Sequence, residues 1–599
     1  MLNYKAPLRD IRFVLHELVE ASKTWESMKS DWDVGEDMVD AILEEGAKFA
    51  ENEIAPLNQS GDKEGCQFNS GEVTTPKGFK EAYKKYIEGG WPSMPAPEEV
   101  GGQGLPKLIN IVMSEILGSA NWSWYMYPGL SHGAIHTLMK HGTPEQQEVY
   151  LTKLVSGEWT GTMCLTEAHC GSDLGILKTK ASPNADGSYN ITGTKIFISA
   201  GEHDLADNIV HIVIARIDGA PAGTKGISLF IVPKFLPNAD GSIGEKNGVA
   251  CGSIEHKMGI KASATCVMNF DNAKGFLVGT ENKGMSSMFT FMNSARIGTA
   301  IQGVCHAEGS FQGALAYAKD RIAMRSLSGV KAPEREADPI IVHPDIRRML
   351  LTQKAFAEGG RALCYYLGLQ NDIASTSTNE QERQEADDLL AFLTPIAKAF
   401  LTEVGLESAN HGMQVFGGHG YISEWGMEQH VRDARISTIY EGTTGIQSLD
   451  LLGRKVLMSQ GEMLRKFTKR VHVFCKGHID TENMQEFVEP LSKLNREWID
   501  VTTKIGMSAL QNRDEVGAAS VDYLMYSGYI TMGFLWAKAA EVAYAKLEAG
   551  TDEEDFYKAK IQTAQFYFKR ILPRTQSHKL CLEGGADVLM SMDVDHFSF

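Results

Sequence analysis

The sequence predicts a mainly α-helical chain with one β domain set into its middle. Apolar residues recur at helical spacing before residue 158 and again after 285, and the stretch between holds β-branched runs bounded by Gly, Pro and Asp. At 599 residues the chain is too long for one core, so two to four domains are expected.

Residues 1–34 read as an N-terminal extension and 35–158 as a helical domain. Met38, Ile42, Ala47 and Phe49 recur at mixed spacing there, and Phe79, Tyr83 and Tyr86 at helical spacing. The polar stretch Ser30-Asp31-Trp32-Asp33 precedes these helices, and Gly89-Gly90-Trp91-Pro92 punctuates them. From 159 to 284 the pattern is that of strands. Asn208–Arg216, Gly226–Val232 and the alternating Thr265–Phe270, followed by a turn at Asp271-Asn272, have the spacing of a small β-barrel. Helices expected over 285–325, 343–370, 380–410 and 425–458 make a bundle domain, 285–458. Residues 459–599 form an additional helical domain, with Trp498, Tyr523, Phe534, Trp536, Phe556, Phe566 and Phe568 as core candidates.

An apolar fraction of 43% with 22% charged residues is ordinary for a globular protein. The net charge of −18 argues against nucleic acid or an anionic membrane as a general partner, because phosphate binding needs a basic field. Nine cysteines, an odd number with no Cys-x-x-Cys pair, point to free thiols in a reducing compartment, hence the cytoplasm. The N-terminal stretch Leu15–Val19 is broken by His16 and Glu17 and reads as no signal segment. The charge-free run Tyr523–Ala537 is shorter than the roughly 20 residues of a bilayer span and reads as a buried helix. No metal-ligand spacing stands out among His, Cys, Asp and Glu.

The most informative segment is Ile439-Tyr440-Glu441-Gly442-Thr443-Thr444-Gly445-Ile446-Gln447. A glycine directly after an acid lets backbone and ligand approach closely and exposes amide donors beside the carboxylate. That suits removal of a proton whose anion needs N–H donors, although a Glu-Gly-Thr turn on its own is more often a helix-end device. Three more segments precede it: Met163-Cys164-Leu165-Thr166-Glu167-Ala168-His169-Cys170-Gly171-Ser172-Asp173, Ile191–Gly201, and Gln414-Val415-Phe416-Gly417-Gly418-His419-Gly420-Tyr421.

In this order and at these separations, the four segments resemble the acyl-CoA dehydrogenase family of flavoproteins, over roughly Phe79 to Lys455. Tyr4–Phe13 and His343–Leu350 resemble a bacterial subfamily with an N-terminal extension and an extra C-terminal helical domain, which includes 3-methylmercaptopropionyl-CoA and fatty acyl-CoA dehydrogenases. The resemblance implies FAD as cofactor, Glu441 as the base that takes the α-proton, and transfer of the β-hydride to the flavin. It implies an acyl-CoA substrate, electron-transfer flavoprotein as acceptor, and a homodimer.

By the same resemblance Met163, Leu165, Thr166 and Ser172 line the flavin or the thioester, and Phe197, Ile198 and Ser199 pack on and bond the isoalloxazine. Arg321, Gln414, Gly417 and Gly418 match residues holding the adenine and pyrophosphate of a neighbouring subunit's FAD, and Thr443 the ribityl region. Ser172, Asn293, Arg296, Glu441 and Gly442 match substrate-binding positions. Each has a plainer reading as well: Phe197 as a core strand aromatic, Ser172 as a turn serine, Arg296 as a half-exposed helical arginine, and His169 and His419 as hydrogen-bonded structure. An acyl-CoA oxidase reducing dioxygen is the nearest rival reading, and a non-oxidising flavoprotein relative the next.

Overall fold

The computed structural model describes residues 3–28, 32, 34–238 and 240–598, so Ser30, Asp31 and Asp33 of the polar stretch lie outside the described residues. Two compact units emerge: Ile42–Gly298 with Tyr4–Ala6, and Thr299–Phe599 with Pro7–Ala41.

Helices α1 (Leu8–Arg12) and α2 (Ala21–Ser27) open the chain and belong to the second unit. Next come α3 (Glu36–Phe49), α4 (Leu57–Glu64), α5 (Phe79–Glu88), α6 (Lys107–Ala120), α7 (Trp122–His141) and α8 (Pro144–Ser156). Their starts are encoded locally. The Asn121 side chain accepts from the Trp124 amide at the head of α7, and Thr143 and Gln146 form a reciprocal capping box on α8. Trp122, Trp124, Tyr125 and Tyr127 are all buried in α7. A hairpin that the sequence did not announce, β1 (Gln67–Asn69) and β2 (Glu72–Thr74), interrupts this helical stretch. Its strands are too short to show alternation, and Ser70 and Gly71 turn it with φ +51° and +92°.

Seven strands build the sheet of the first unit: β3 (Trp159–Cys164), β4 (Lys180–Pro183), β5 (Tyr189–Ser199), β6 (Asn208–Ile217), β7 (Ile227–Pro233), β10 (Val249–Ile254) and β11 (Thr265–Val278). A separate ribbon holds β8 (Phe235–Pro237) and β9 (Ile243–Lys246). β11 pairs with β5 and β7, β5 with β4, β4 with β6, and β6 with β7. That ring of pairings closes a small barrel, with β10 and β3 added beside it. β6 and β7 read as continuous Val/Ile runs because one of their faces also packs on helices: Ile212, Ile214, Leu229 and Ile231 cluster with Leu138, Leu151 and Leu154. The turn expected at Asp271-Asn272 is instead a bulge inside β11. Asn272 sits at φ +48°, the register slips between Phe270 and Ala273, and the bent strand then takes β7 as a second partner.

The bundle consists of α9 (Gly284–Asp320), α10 (Pro344–Thr376), α11 (Glu380–Val415), α12 (Met427–Arg435) and α13 (Thr444–Leu449). The single helix expected over 425–458 is broken, because Glu441 and Gly442 both adopt left-handed backbone, φ +57° and +90°, which no right-handed helix accommodates. The last helices are α14 (Glu462–Gly477), α15 (Gln485–Gln511), α16 (Asp514–Ala549), α17 (Glu554–Phe566), α18 (Thr575–Glu583) and α19 (Asp587–Met590). Tyr523–Ala537 lies in the buried middle of α16, as read from sequence, and the Trp536 indole donates to Ala355 O of α10 at 3.2 Å. Among the described residues one helix, α11, is long and apolar enough to cross a membrane, and 78% of its most apolar window is buried within the protein.

A buried ionic network ties the chain's two ends to the bundle. Asp10 of α1 contacts both Arg361 and Lys560, Lys560 also reaches Glu358 at 2.6 Å, and Arg361 reaches Glu308 at 2.9 Å. Burial pushes the Asp10 carboxyl up, but Lys560 and Arg361 pull it well below the usual carboxylate range. Its contribution to stability is therefore present above the unfolded pKa of about 4 and lost as pH falls below it. Lys560→Met leaves Asp10 with Arg361 alone and Glu358 with Lys354 alone, each short of one buried cation, so it is expected to cost about 3 kcal/mol at pH 7, measured as a lower unfolding midpoint. The gap to the wild type should narrow below about pH 4; a gap independent of pH would show that the pair does not carry this energy.

Candidate functional site

In the first unit the site residues gather where β3 and β5 end. Met163, Leu165 and Thr166 are half-buried, and the Ile196 amide donates to Thr166 O at 2.9 Å, laying this segment along β5. Glu167 and Cys170 then exchange both backbone hydrogen bonds, at 2.9 and 3.0 Å, so Ala168-His169 is a hairpin tip and Ser172 follows it, exposed. Under the tip lies an ion pair that the sequence reading missed. Glu167 Oε1 accepts from Lys195 Nζ at 2.9 Å and from the Thr179 hydroxyl at 2.6 Å, while Oε2 accepts from the Lys178 amide at 2.7 Å. Lys195 also donates to Leu165 O at 3.0 Å. Burial pushes the Glu167 carboxyl up, but Lys195 and these donors pull it down to about 2. Burial lowers the Lys195 ammonium, and the charge and hydrogen bond of Glu167 pull against that shift. The signal was available: period-two alternation from Ile191 puts Lys195 on the buried face, where a cation requires an anion.

At the end of β5 the alternation breaks. Phe197 takes φ +59°, which turns its ring out of the core with 59% of the residue exposed, while Ile198 is buried and Ser199 half-buried. A bulky residue in the left-handed region costs on the order of 1–3 kcal/mol, and such strain concentrates where a ligand uses it. Phe197 is thus no core aromatic. On α9 Asn293 is exposed, whereas Arg296 is buried, 7% exposed, rather than half-exposed.

In the second unit two groups of site residues stand on separate features. Arg321, just past α9, has an exposed side chain, while its amide donates to Tyr317 O and its carbonyl accepts from Ile340 N, both at 2.8 Å. Gln414 on the last turn of α11, Gly417 (φ +58°) and Gly418 are also exposed, with open space where a Cβ would project from either glycine. These two ends adjoin, since Tyr317 stacks on Phe416 with ring centroids 4.0 Å apart. His419 pairs with the Tyr317 hydroxyl at 2.9 Å and stacks on Trp425, a structural role.

Glu441 stands on the turn between α12 and α13, half-buried. Its carbonyl accepts from Gln447 Nε2 at 3.2 Å, and the Thr443 hydroxyl caps α13 by accepting from the Ile446 amide at 3.2 Å. A Cβ on Gly442 would stand 2.2 Å from Gln447 Nε2, so this left-handed position takes glycine only. Lys398, wholly buried on α11, donates to Ser437 O at 2.8 Å and to Gly442 O at 2.6 Å. It too was unremarked in the sequence, where it is the one cation in the apolar run Phe392–Leu401.

Among the described residues, the trio Glu167, His169 and Cys170 brings three ligand-type atoms within 4.8 Å of one another. The Glu167 oxygens already serve Lys195, Thr179 and Lys178, and His169 Nε2 lies 3.0 Å from Ile176 O, so hydrogen bonding accounts for this corner. The first unit therefore offers a solvent-facing ring beside half-buried polar groups. The second offers a carboxylate on a hydrogen-bonded turn, two exposed glycines with open space about them and an exposed arginine. These are groups for a flat conjugated ring, a proton to be removed and a diphosphate.

Four family models match in succession: the acyl-CoA dehydrogenase N-terminal domain over 36–158, middle domain over 162–273 and C-terminal domain over 282–457, then the acetyl-CoA dehydrogenase C-terminal-like domain over 467–593. A 3-methylmercaptopropionyl-CoA dehydrogenase of Ruegeria pomeroyi is 42% identical over 98% of this chain and 100% of its own. The broad-specificity linear acyl-CoA dehydrogenase FadE5 of Mycobacterium tuberculosis is 34% identical over 99% of both chains. Among solved structures, Caenorhabditis elegans ACDH-11 in complex with C11-CoA superposes with a TM-score of 0.77 at 18% identity, over 98% of this chain and 95% of that one, a likeness of fold. An acyl-CoA dehydrogenase from Bacillus anthracis complexed with FAD has a TM-score of 0.72 at 22% identity, over 99% and 93%. Full-length identity of this degree, with the domains in one unbroken order, makes the chain a member of the acyl-CoA dehydrogenase family of oxidoreductases, in a branch with an additional C-terminal domain.

Proposed function

We propose that this protein is an FAD-dependent dehydrogenase that oxidises an acyl-CoA thioester to the trans-2-enoyl-CoA and passes electrons to an electron-transfer flavoprotein. The observation that carries the reading is Glu441, a carboxylate on a turn that Lys398 and Gln447 hold by hydrogen bonds to Ser437 O, Gly442 O and Glu441 O. Abstraction of an α-proton needs such a base, partly withdrawn from water and immobile. Glu441 takes the α-proton, and its own backbone amide donates to the thioester oxygen, where charge develops. FAD, when bound, supplies the acceptor for the β-hydride.

The residues present fit that cofactor: a strained, exposed aromatic at Phe197 for the ring system, and exposed glycines at Gly417 and Gly418 with Arg321 for phosphate. Met163, Leu165, Thr166, Ser172, Ile198 and Ser199 complete the isoalloxazine end, and Thr443 the ribityl region. Gln414 joins Arg321 and the two glycines at the adenine end, which we assign to the FAD of a neighbouring copy. Ser172, Asn293, Arg296 and Gly442 hold the CoA thioester. The substrate is a fatty acyl-CoA or 3-methylmercaptopropionyl-CoA, the latter favoured by the 42%-identical relative. Nine free cysteines accord with the cytoplasm. We place the domain borders at 34/35, 158/159, 284/285 and 458/459.

Purified protein should be yellow, with one non-covalent FAD per chain; a folded, colourless preparation that takes up no FAD on reconstitution would refute this. Glu441→Gln should retain FAD and acyl-CoA binding but lose on the order of 100- to 10,000-fold in the rate of anaerobic flavin bleaching. Near-normal bleaching would place the base elsewhere. Across a panel of acyl-CoAs of graded length, 3-methylmercaptopropionyl-CoA and short linear chains should bleach fastest.

A homodimer is expected, because α16 covers a face of α10 and α11 inside the second unit that would otherwise be free for further association. Light scattering should give a mass near twice 65.8 kDa; a stable monomer or tetramer contradicts it.

A further inference from the structure

We propose that Lys398 is a positioning residue for the proton-abstracting carboxylate, an inference that rests on the reading of Glu441 as the base. Lys398 is wholly buried in the middle of α11, and its ammonium donates to two backbone carbonyls, Ser437 O at 2.8 Å and Gly442 O at 2.6 Å. Those carbonyls bracket Glu441 in the chain. One belongs to the 3₁₀ turn Ile436–Thr438 that follows α12, and the other is the residue directly after the acid. A single cation thus clamps both ends of the loop on which the carboxylate stands.

The clamp answers a conformational problem. Glu441 is held at φ +57°, in the left-handed region that a non-glycine residue avoids, and Gly442 continues it at φ +90°. Left to itself the loop would relax toward right-handed backbone and swing the carboxylate away. Smaller ties add to the hold: Gln447 Nε2 donates to Glu441 O at 3.2 Å, the Thr444 hydroxyl donates to Glu403 at 2.6 Å, and the Tyr440 hydroxyl donates to Gln302. The Thr444 hydroxyl also reaches across the turn to Thr438 O, at a long 3.4 Å, whereas Lys398 joins the two sides with short bonds from one buried cation. A buried ammonium is costly unless fully hydrogen-bonded, and here its bonds go to the backbone of the catalytic turn. Lys398 touches no reacting atom in this scheme and acts through Glu441.

The test is anaerobic stopped-flow reduction of the holoenzyme by butyryl-CoA or 3-methylmercaptopropionyl-CoA, whichever bleaches the wild type faster, run on Lys398→Met, Lys398→Gln and Glu441→Gln side by side. Lys398→Met should keep its FAD and its half-saturating acyl-CoA concentration while its limiting reduction rate falls on the order of 100-fold, the scale for a misplaced reacting group. Lys398→Gln, which retains an amide donor, should recover part of the rate. A wild-type limiting rate in Lys398→Met overturns the proposal, as does a loss in which half-saturation and FAD affinity worsen along with the rate, the signature of general structural damage. If Lys398→Met does not hold FAD, Lys398→Gln decides by the same two criteria. Wild-type reduction by Glu441→Gln would instead overturn the assignment of the base, a separate failure.

Discussion

A lysine ammonium removed from water must have its donors satisfied, and in each unit that requirement fixes a functional loop. Lys195 and Lys398 are both wholly buried. Each meets the demand partly with backbone carbonyls next to site residues: Leu165 O, beside Thr166, and Gly442 O, beside Glu441. The energetic need of the cation and the geometric need of the site are served by the same bonds. Strain is stored close by in both cases. Phe197 lies two residues beyond Lys195 and Glu441 one residue before Gly442, and both are left-handed. Strained backbone persists only where surroundings over-determine it, and buried charge is an effective way to do so.

The same logic operates at larger scale in the second unit. Asp10, Glu308, Glu358, Arg361 and Lys560 come from the N-terminal extension, the bundle and the last domain, and none is fully compensated without the others. The extension and the C-terminal domain are therefore energetically coupled, since either alone would leave buried charges short of one partner. The hydrophobic contacts agree: α16 lies on α10 and α11, and Phe400 of α11 packs edge-on against Tyr529 of α16 with ring centroids 4.9 Å apart.

Much of this was legible in the residues. The helical and strand blocks, the burial of Tyr523–Ala537 and the turn at Glu441 all follow from periodicity and from Gly placement. What escaped has a common cause in contacts distant in sequence. The Glu441 turn was readable, but not what holds it within 425–458: the grip comes from Lys398, some forty residues earlier. The continuation of β11 through the bulge at Asp271-Asn272 depends on β5 and β7 offering ladders beside it. The outward turn of Phe197 contradicts an alternation that otherwise holds along β5, and no local rule announces it. Lys195 and Lys398 were visible as lone cations in apolar surroundings, but their partners, Glu167 and the Ser437 and Gly442 carbonyls, are set only by the fold.

The central claim is that Glu441 removes a substrate α-proton. The most direct measurement uses a 3-thia-acyl-CoA, whose sulfur replaces the β-carbon so that no hydride can leave, and follows by mass spectrometry the entry of solvent deuterium at its α-carbon. The wild-type holoenzyme should exchange the α-hydrogen readily and Glu441→Gln should not, while both bind the analogue. Exchange by Glu441→Gln at the wild-type rate would contradict the account.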